Sequence, residues 1–397
     1  MNLLYNFKIA SNELCPCGSQ KSYKECCRNK QNRLFHNDNE IKAVISKNSR
    51  KSRIKICLAK GCNQKGKSIS KAHALQENRI LSKIAKNNIV MMQNQKEDPL
   101  LIETKRNHPE AFYLLKNMKI KDATISTCFC SIHDNKIFEK IEKTQYDLQT
   151  LDSEQLFLFA YRTFIFEYYK EYTQKLFHSY MFKDVPQLMR NPYTINIYRG
   201  CTQKLDDLEY YKQNFENILE NKAYEQVETI IKEIPFEIPF ANYMTVAANF
   251  DLFGRKVKPI SKGKIMKRIF ITTFPVENKS YILLSVLKND YDVYEAYVKS
   301  FKEASMDLIT FYLNSFIPLY SDNLILSPLL WETWDEYTQM GIQYAVAEKP
   351  SRANVLLKGI QFYLKNIHKS PHLLQTVSSK QIKFDFFKDM NSLKENN

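Results

Sequence analysis

The sequence predicts an α+β protein that is mostly helical and carries a small antiparallel sheet in its second half. A run of apolar and aromatic residues at helical spacing spans Gln155–Leu188 and predicts a long helix. Short β-rich stretches separated by turn signals follow between about 240 and 290 and predict the sheet. Eight of the nine cysteines lie between positions 15 and 130, so a chemically distinct region precedes both.

Residues 1–30 contain the first cysteine cluster, CPCGSQKSYKECC, which has a C-x-C-x8-C-C pattern. Four thiolates satisfy the tetrahedral coordination of zinc. A segment this short has too little core to fold unaided, so metal binding would supply its folding energy. We therefore expect a structural Zn²⁺ site formed by Cys15, Cys17, Cys26 and Cys27.

This cluster resembles the SEC-C motif, a small zinc module at the tail of the bacterial secretion ATPase and at the ends of many unrelated proteins. The resemblance covers residues 15–27. The usual pattern is CPCGSGKKYKKCC, so Gln20 replaces the second glycine and Glu25 replaces a common lysine. The resemblance implies an adaptor that docks on a protein, a ribosome or nucleic acid, and it does not imply catalysis.

A second metal site is predicted in residues 54–145, after a polar and basic stretch at 31–53 that reads as a linker or a short helix. CLAKGC is a C-x4-C knuckle, and CFCSIH contains a later C-x2-H pair. Two such knuckles can make a treble-clef zinc site, whose ligands would be Cys57, Cys62, Cys130 and His133. Alternatively, His73 is itself a ligand, which would leave Cys128 or Cys130 spare.

The order of these residues resembles a divergent HNH endonuclease, a family in which the structural zinc is separate from the catalytic centre. The resemblance implies that His73 is the general base, that Asn78 orients it, and that Mg²⁺ or Mn²⁺ is the catalytic ion. This sequence departs from the family at two points, since Ala72 precedes the histidine and 57 positions separate His73 from Cys130. A catalytically inactive or purely structural treble clef is the alternative.

Nearly all of the net charge of +15 lies in the first part of the chain. Residues 1–150 contain 28 Lys and Arg against 14 Asp and Glu, whereas the remaining 247 residues contain 30 against 29. A concentrated basic region indicates a polyanionic partner, most often nucleic acid, with an acidic protein, lipid headgroups or no partner as alternatives. The residues expected to contact nucleic acid are Lys51, Arg53, Lys55, Lys65, Lys67, Lys71 and Arg79.

The chain shows no signal-peptide pattern at its start and no run of about 18 uninterrupted apolar residues. The most apolar stretch, Leu308–Tyr320, is interrupted by Asn314, Ser315 and Pro318, so it predicts a buried helix. We therefore expect a cytoplasmic protein with no membrane partner.

Residues 150–397 are expected to form a helical domain with the small sheet. Helical spacing continues over Leu205–Ile234, Asp290–Tyr320 and from Thr333 to about Lys369. The β-rich stretches are Ala241–Phe250, Lys256–Ile260, Arg268–Thr273 and Ser280–Leu287.

The whole layout also resembles a group of bacterial proteins that pair a SEC-C motif with this cysteine and histidine region, and that resemblance implies a setting in defence against foreign DNA. Three functions follow: an HNH-like nuclease, a non-enzymatic zinc adaptor that docks on nucleic acid, ribosome or a partner protein, and an enzyme activity carried by residues 150–397.

Overall fold

The computed structural model describes residues 8–93, 115–143, 150–260, 265–347 and 384–395. The chain divides into two compact units. Unit 1 consists of Met1–Ser70, Thr127–His133 and Phe166–Asn214, and unit 2 consists of Lys71–Ser126, Asp134–Ile165 and Phe215–Asn397.

The α-helices of the described residues fall into both units, and three of these helices contain residues of each unit. In chain order they are α1 Asp38–Ser52, α2 Ser82–Ile84, α3 Ser131–Glu142, α4 Ser153–Asp184, α5 Pro192–Asn221, α6 Tyr291–Glu303, α7 Met306–Tyr320, α8 Pro328–Glu332, α9 Glu336–Ala347 and α10 Met390–Glu395. The strands are β1 Ala72–His73, β2 Ile89–Gln93, β3 Leu115–Lys119, β4 Ile125–Ser126, β5 Val227–Ile234, β6 Phe240–Val246, β7 Ile269–Val276, β8 Lys279–Leu287 and β9 Leu324–Leu326.

Unit 1 is built on helices and short backbone bridges. Helix α1 begins after Asn37, whose side chain accepts a hydrogen bond from the backbone N–H of Glu40 and so caps the first turn. The stretch predicted as a linker or a short helix therefore contains a 15-residue helix. Residues 166–184 of α4 and 192–214 of α5 supply the remaining helical surface.

In the described part of unit 2, seven strands form a sheet in the order β3-β2-β9-β6-β7-β8-β5, in which every neighbouring pair is antiparallel. Every residue of β6 and β7 is buried, so these strands are covered on both faces. The β7–β8 hairpin turns through Glu277 and Asn278, which both have positive φ, as a two-residue type I′ turn requires.

The predicted α+β class is confirmed, and the sheet is larger than predicted. Strands β6, β7 and β8 lie within 240–290, but β2, β3, β5 and β9 come from outside it. Lys256–Ile260 forms only isolated bridges to Phe250 and Met266.

The helix predicted over Leu205–Ile234 is wrong in its last part. Helix α5 ends at Asn221, where Lys222 follows with a φ of 55° and stops the helix. Val227–Ile234 then pairs with β8 along its whole length as β5. The apolar residues of this stretch, VETIIKEI, recur at i, i+3, i+4 and i+7, which is a helical spacing, so only its pairing with β8 shows that it is a strand.

The apolar stretch at Leu308–Tyr320 is the buried helix that was predicted, and it forms most of α7. Among the described residues, no helix is both long enough and apolar enough to span a bilayer. The predicted helical tail is present as α9, and its continuation to Lys369 lies outside the described residues.

Candidate metal centres and the His73 region

The first cysteine cluster is built on a tight hairpin in unit 1. Leu14 bridges to Ser22, and the backbone N–H of Cys15 donates to the carbonyl of Lys21 over 2.8 Å. On the far side, the carbonyl of Tyr23 accepts from the N–H groups of Cys26, Cys27 and Arg28, which forms a compact turn. The hairpin and the turn together bring both cysteine pairs to one point.

The four thiols of this cluster fit one zinc ion. The Sγ atoms of Cys15, Cys17, Cys26 and Cys27 all lie within 4.8 Å of one another. Cys26 Sγ is 3.5 Å from both Cys17 Sγ and Cys27 Sγ. Tetrahedral coordination with Zn–S bonds of about 2.3 Å places the sulfurs about 3.7 Å apart. The donor set and its spacing therefore match a zinc site with four cysteine ligands.

The thiols of the first cluster differ in their pKa values. Burial raises the pKa of Cys15 to about 11. Burial acts in the same direction on Cys26, but hydrogen bonds from Ser19 and from the neighbouring thiols outweigh it and lower the pKa of Cys26 to about 7. Because zinc binds thiolates, metal binding to this cluster must displace protons, and its affinity rises with pH.

The second cluster lies on another short hairpin of unit 1. Ile56 bridges to Lys65, and the N–H of Cys62 donates to the carbonyl of Ala59, which closes the knuckle turn. Ile69 bridges to Cys130, so the late knuckle is held beside the early one. This pairing brings residues far apart in the chain to one position.

The ligand atoms of Cys57, Cys62, Cys130 and His133 lie within 4.8 Å of one another. His133 Nδ1 is 3.2 Å from Cys130 Sγ and 3.6 Å from Cys57 Sγ. A zinc ion with Zn–N and Zn–S bonds of ordinary length places nitrogen and sulfur about 3.6 Å apart. Nδ1 is thus the ring nitrogen that faces the thiols, and the group fits a zinc site with three cysteine ligands and one histidine ligand.

The pKa values of the two buried thiols of the second cluster, Cys57 and Cys130, are shifted in opposite directions. Burial raises the pKa of Cys57 to about 11. Burial would also raise that of Cys130, but the backbone N–H of His133 donates to its sulfur and holds the pKa of Cys130 below its ordinary value. Cys130 immediately precedes helix α3, where N–H groups point at an anion and stabilise a thiolate.

The remaining candidates lie apart from these groups. Cys128 is fully buried but is not part of either cluster, and neither is Cys201. His73 also belongs to neither, so the alternative in which it replaces a cysteine ligand has no support in the geometry.

His73 lies on β1, which pairs with β4 so that His73 stands opposite Ile125. Its Nδ1 is 2.9 Å from the carbonyl oxygen of Ala123, and its Nε2 is 3.4 Å from a carboxylate oxygen of Glu77. The His73 side chain is 17% exposed. The ring is therefore oriented by the backbone of the neighbouring strand, with Nε2 towards a partly exposed carboxylate.

Arg162 of helix α4 contacts His73, and the sequence did not predict this contact. It is buried, and its guanidinium donates to the carbonyl of His73 over 2.7 Å and to Glu142 of α3 over 2.6 Å. The same group lies over the ring of Phe138 at 4.9 Å. Arg162 thus connects β1, α3 and α4, a role that only the tertiary structure reveals.

Asn78, the predicted partner of His73, lies in the short helical segment Glu77–Leu81 with an exposed side chain. The hydrogen bond that orients the ring comes from Ala123 instead. Among the described residues, no third metal-binding side chain joins His73 and Glu77. His108, which lies between the knuckles in the sequence, is outside the described residues.

The predicted basic residues divide between the units. Lys51, Arg53, Lys55, Lys65 and Lys67 are exposed and belong to unit 1. Lys71 and Arg79 belong to unit 2. Lys71 is exposed, whereas Arg79 forms an ion pair of 2.6 Å with Glu277.

The SEC-C motif family matches residues 12–29 of the chain. No curated protein and no solved structure is significantly similar to it. The predicted SEC-C motif is therefore confirmed, and its four cysteines are compatible with zinc binding. The match does not extend to residues 54–145, for which the HNH-like relationship stays a prediction.

Proposed function

We propose that the protein binds nucleic acid through unit 1, with zinc ordering the two knuckles that this unit contains. The observation that carries the proposal is the charge of that unit. Unit 1 contains 22 Lys and Arg against 10 Asp and Glu, whereas unit 2 contains 36 against 33. The excess positive charge and both cysteine clusters thus belong to the same unit.

The hairpin of the second cluster concentrates this charge on the surface. Lys55, Lys65 and Lys67 are all exposed, and the N–H of Gly66 donates to the carbonyl of Lys55, which holds the two sides of the hairpin together. Among the residues that the structure describes, none of these lysines lies within ion-pair distance of a carboxylate. Basic side chains without a protein counter-ion are suited to a phosphate backbone, whose counterions they displace.

Lys51 has a different environment. Its ammonium group lies 4.2 Å from the centre of the Tyr180 ring. A cation held over an aromatic face remains available to an anion on its other side. Lys51 therefore adds to the same basic surface.

The test is binding of short labelled duplex DNA, single-stranded DNA and RNA over a range of KCl concentrations. We expect an affinity that falls steeply with salt, with the log–log slope reduced by about 0.9 for each phosphate contact removed. The triple variant Lys55→Glu, Lys65→Glu, Lys67→Glu is compared with Lys299→Glu, which reverses an exposed charge of unit 2. If the two bind equally well, this surface is not the interface.

Absence of binding to every nucleic acid would instead favour the non-enzymatic alternative, an adaptor that docks on a protein partner. Measuring the zinc content distinguishes a protein that lacks the proposed interface from one that has lost its zinc. A protein that retains its zinc but binds no nucleic acid rejects the interface and leaves the zinc sites intact.

A second candidate function is metal-dependent hydrolysis of a phosphodiester at His73. It is favoured by the contact between Nδ1 and the Ala123 carbonyl, which leaves Nε2 as the basic nitrogen of the neutral ring. Nε2 would take a proton from the attacking water, and the carboxylate of Glu77 would stabilise the resulting imidazolium. A divalent ion, if bound, would supply stabilisation of the charge on the phosphate and the leaving oxygen, and Glu77, whose carboxylate contacts His73, would help to hold it.

The test of this candidate is cleavage of plasmid DNA and of RNA with Mg²⁺ or Mn²⁺. We expect His73→Ala to reduce cleavage by about a hundredfold or more. His36→Ala is the matched control, because His36 is exposed and belongs to unit 1. Equal cleavage by both variants would remove His73 from the chemistry without affecting the binding proposal.

A further inference from the structure

The SEC-C motif packs against helices of its own chain, within unit 1. Cys27 is fully buried, and Tyr23 is buried beside it. They pack against Phe182 near the end of α4, Met189 in the connection, and Ile195 in the first turns of α5. The apolar face of the motif is therefore covered by residues about 160 positions further along the chain.

The loop between the two cysteine pairs also approaches α4 closely. Gly18 has a φ of +77°, and a β-carbon at this position would lie 3.9 Å from the Cβ of Ser179. The side of the loop that carries Gly18 is thus in van der Waals range of the helix.

Two arginine side chains, Arg190 and Arg199, form hydrogen bonds at the edge of the contact between the motif and the helices. Arg190 donates to the carbonyls of Arg28 and Lys30 over 3.2 and 2.5 Å. Arg199 donates to the carboxylate of Glu13 over 3.0 and 3.2 Å. Arg190 binds the segment that follows the cysteine cluster, and Arg199 binds the segment that precedes it. Hydrogen bonds in which the donor or the acceptor is charged are stronger than those between neutral groups.

Two reciprocal hydrogen bonds between Arg33 and Gln187 extend the edge of this contact. The backbone N–H of Arg33 donates to the side-chain oxygen of Gln187 over 3.0 Å, and the side-chain amide of Gln187 donates to the carbonyl of Arg33 over 2.7 Å. The segment that follows the motif is therefore also bound to the connection between α4 and α5.

The two sides of this contact depend on each other. The motif is too short to have a core of its own, so its order depends on the metal and on its contacts with α4 and α5. If it unfolds, Phe182, Met189 and Ile195 lose the surface that buries them, and exposure of apolar side chains to water is unfavourable. Metal binding at the cysteines is thereby coupled to the order of the helices.

We propose that the SEC-C motif of this protein is an intramolecular clamp, whose binding partner is the α4–α5 junction, residues 178–199 of the same chain. Metal held by Cys15, Cys17, Cys26 and Cys27 orders the junction, and the buried face of the motif is not available to a second protein or a ribosome. The proposal goes beyond nucleic-acid binding and does not depend on it. It rests only on metal binding at the first cluster.

The test is hydrogen–deuterium exchange of the full-length, zinc-loaded protein, with zinc content measured on the same samples. Cys26→Ser removes the half-buried ligand of the first cluster, and Cys62→Ser removes the half-buried ligand of the second as a matched control. We expect Cys26→Ser to lose zinc and to raise exchange over residues 178–199 by about tenfold or more. We expect Cys62→Ser to lose zinc from the other site and to leave the junction protected.

A second variant tests the clamp without touching a metal ligand. Arg190→Ala should keep its zinc, and exchange should rise in residues 26–33 and in the junction together. Unchanged protection of the junction after zinc loss in Cys26→Ser would overturn the proposal, and so would an equal effect of Cys62→Ser. If Cys26→Ser does not fold, unchanged exchange of both segments in Arg190→Ala overturns it.

Discussion

The Nδ1 atom of His73 lies 2.9 Å from the carbonyl oxygen of Ala123. A carbonyl oxygen only accepts hydrogen bonds, so Nδ1 carries the proton and Nε2 presents its lone pair when the ring is neutral. The contact follows from the pairing of β1 with β4, in which His73 stands opposite Ile125. The orientation of the ring is therefore set by backbone geometry and should survive the change Asn78→Ala.

Arg162 fixes the backbone of His73 from the other side, and its loss should destabilise unit 2. Arg162→Ala removes the donor to the His73 carbonyl and to Glu142, and leaves both acceptors without this partner. We expect the free energy of unfolding in urea to fall by about 2–4 kcal/mol. Lys140→Ala, which breaks ion pairs of a half-exposed side chain on α3, should cost less than about 1 kcal/mol. Equal losses in the two variants would contradict a structural role for Arg162.

The sequence predicted the elements whose signal is local. The aromatic run of α4 and the apolar run of α7 have one period over many residues, and both are helices close to the predicted bounds. The sheet was underestimated because β2, β3 and β9 are short strands far apart in the chain, and only tertiary pairing shows that they join β6. Val227–Ile234 was assigned to a helix because it follows one without a glycine or proline between them.

The same distinction holds for the sites. Spacing predicted that the ligands within each C-x-C, C-C and C-x4-C pair lie close together, but it left open whether His73 replaces one of the later cysteines. The surroundings of His73 were not predictable, because Ala123 and Arg162 are 50 and 89 positions away from it. The packing of the SEC-C motif on residues 178–199 gave no sequence signal either, because the aromatic spacing there is explained equally well by an ordinary helical core.

Gln20 occupies a position that favours glycine. Its φ is 64°, a left-handed conformation that costs a side-chain-bearing residue about 1–2 kcal/mol. Gln20→Gly removes this strain and loses part of the gain to the greater freedom of the unfolded chain, so we expect a net stabilisation of about 0.5–1 kcal/mol. The measurement is thermal unfolding of the zinc-loaded protein. Gln20→Ala keeps the β-carbon and should show no such gain, and a gain in both variants would contradict backbone strain as the cause.

Glu167 should make the stability of unit 1 sensitive to acid. Burial alone would raise the pKa of Glu167, but the ammonium groups of Lys170 and Lys204, each 2.8 Å from its oxygens, lower it far below its ordinary value. A carboxyl whose folded-state pKa is depressed stabilises the fold above its unfolded-state pKa of about 4.5 and loses this contribution as the pH falls below it. The folded protein should therefore lose stability steeply below about pH 4.5.

Glu167→Gln tests this assignment. It should lower the free energy of unfolding at neutral pH by about 2–4 kcal/mol and make the pH dependence below pH 4.5 shallower. Asp206→Asn, an exposed carboxylate on α5, should change stability by less than about 0.5 kcal/mol and keep the original pH dependence. A pH profile that is unchanged in Glu167→Gln would assign the acid sensitivity to other groups.

The number of zinc ions per chain depends on which cysteines are ligands, and Cys128 provides the control. It is fully buried, as structural ligands often are, and lies two positions from Cys130, yet it is not part of the second cluster. Because each zinc takes four ligands, we expect two equivalents per chain in the parent protein, one in Cys62→Ser and two in Cys128→Ala, measured by elemental analysis after removal of loosely bound metal. One equivalent in the parent would reject the second site. Loss of an equivalent in Cys128→Ala together with retention in Cys62→Ser would move the ligand assignment to Cys128.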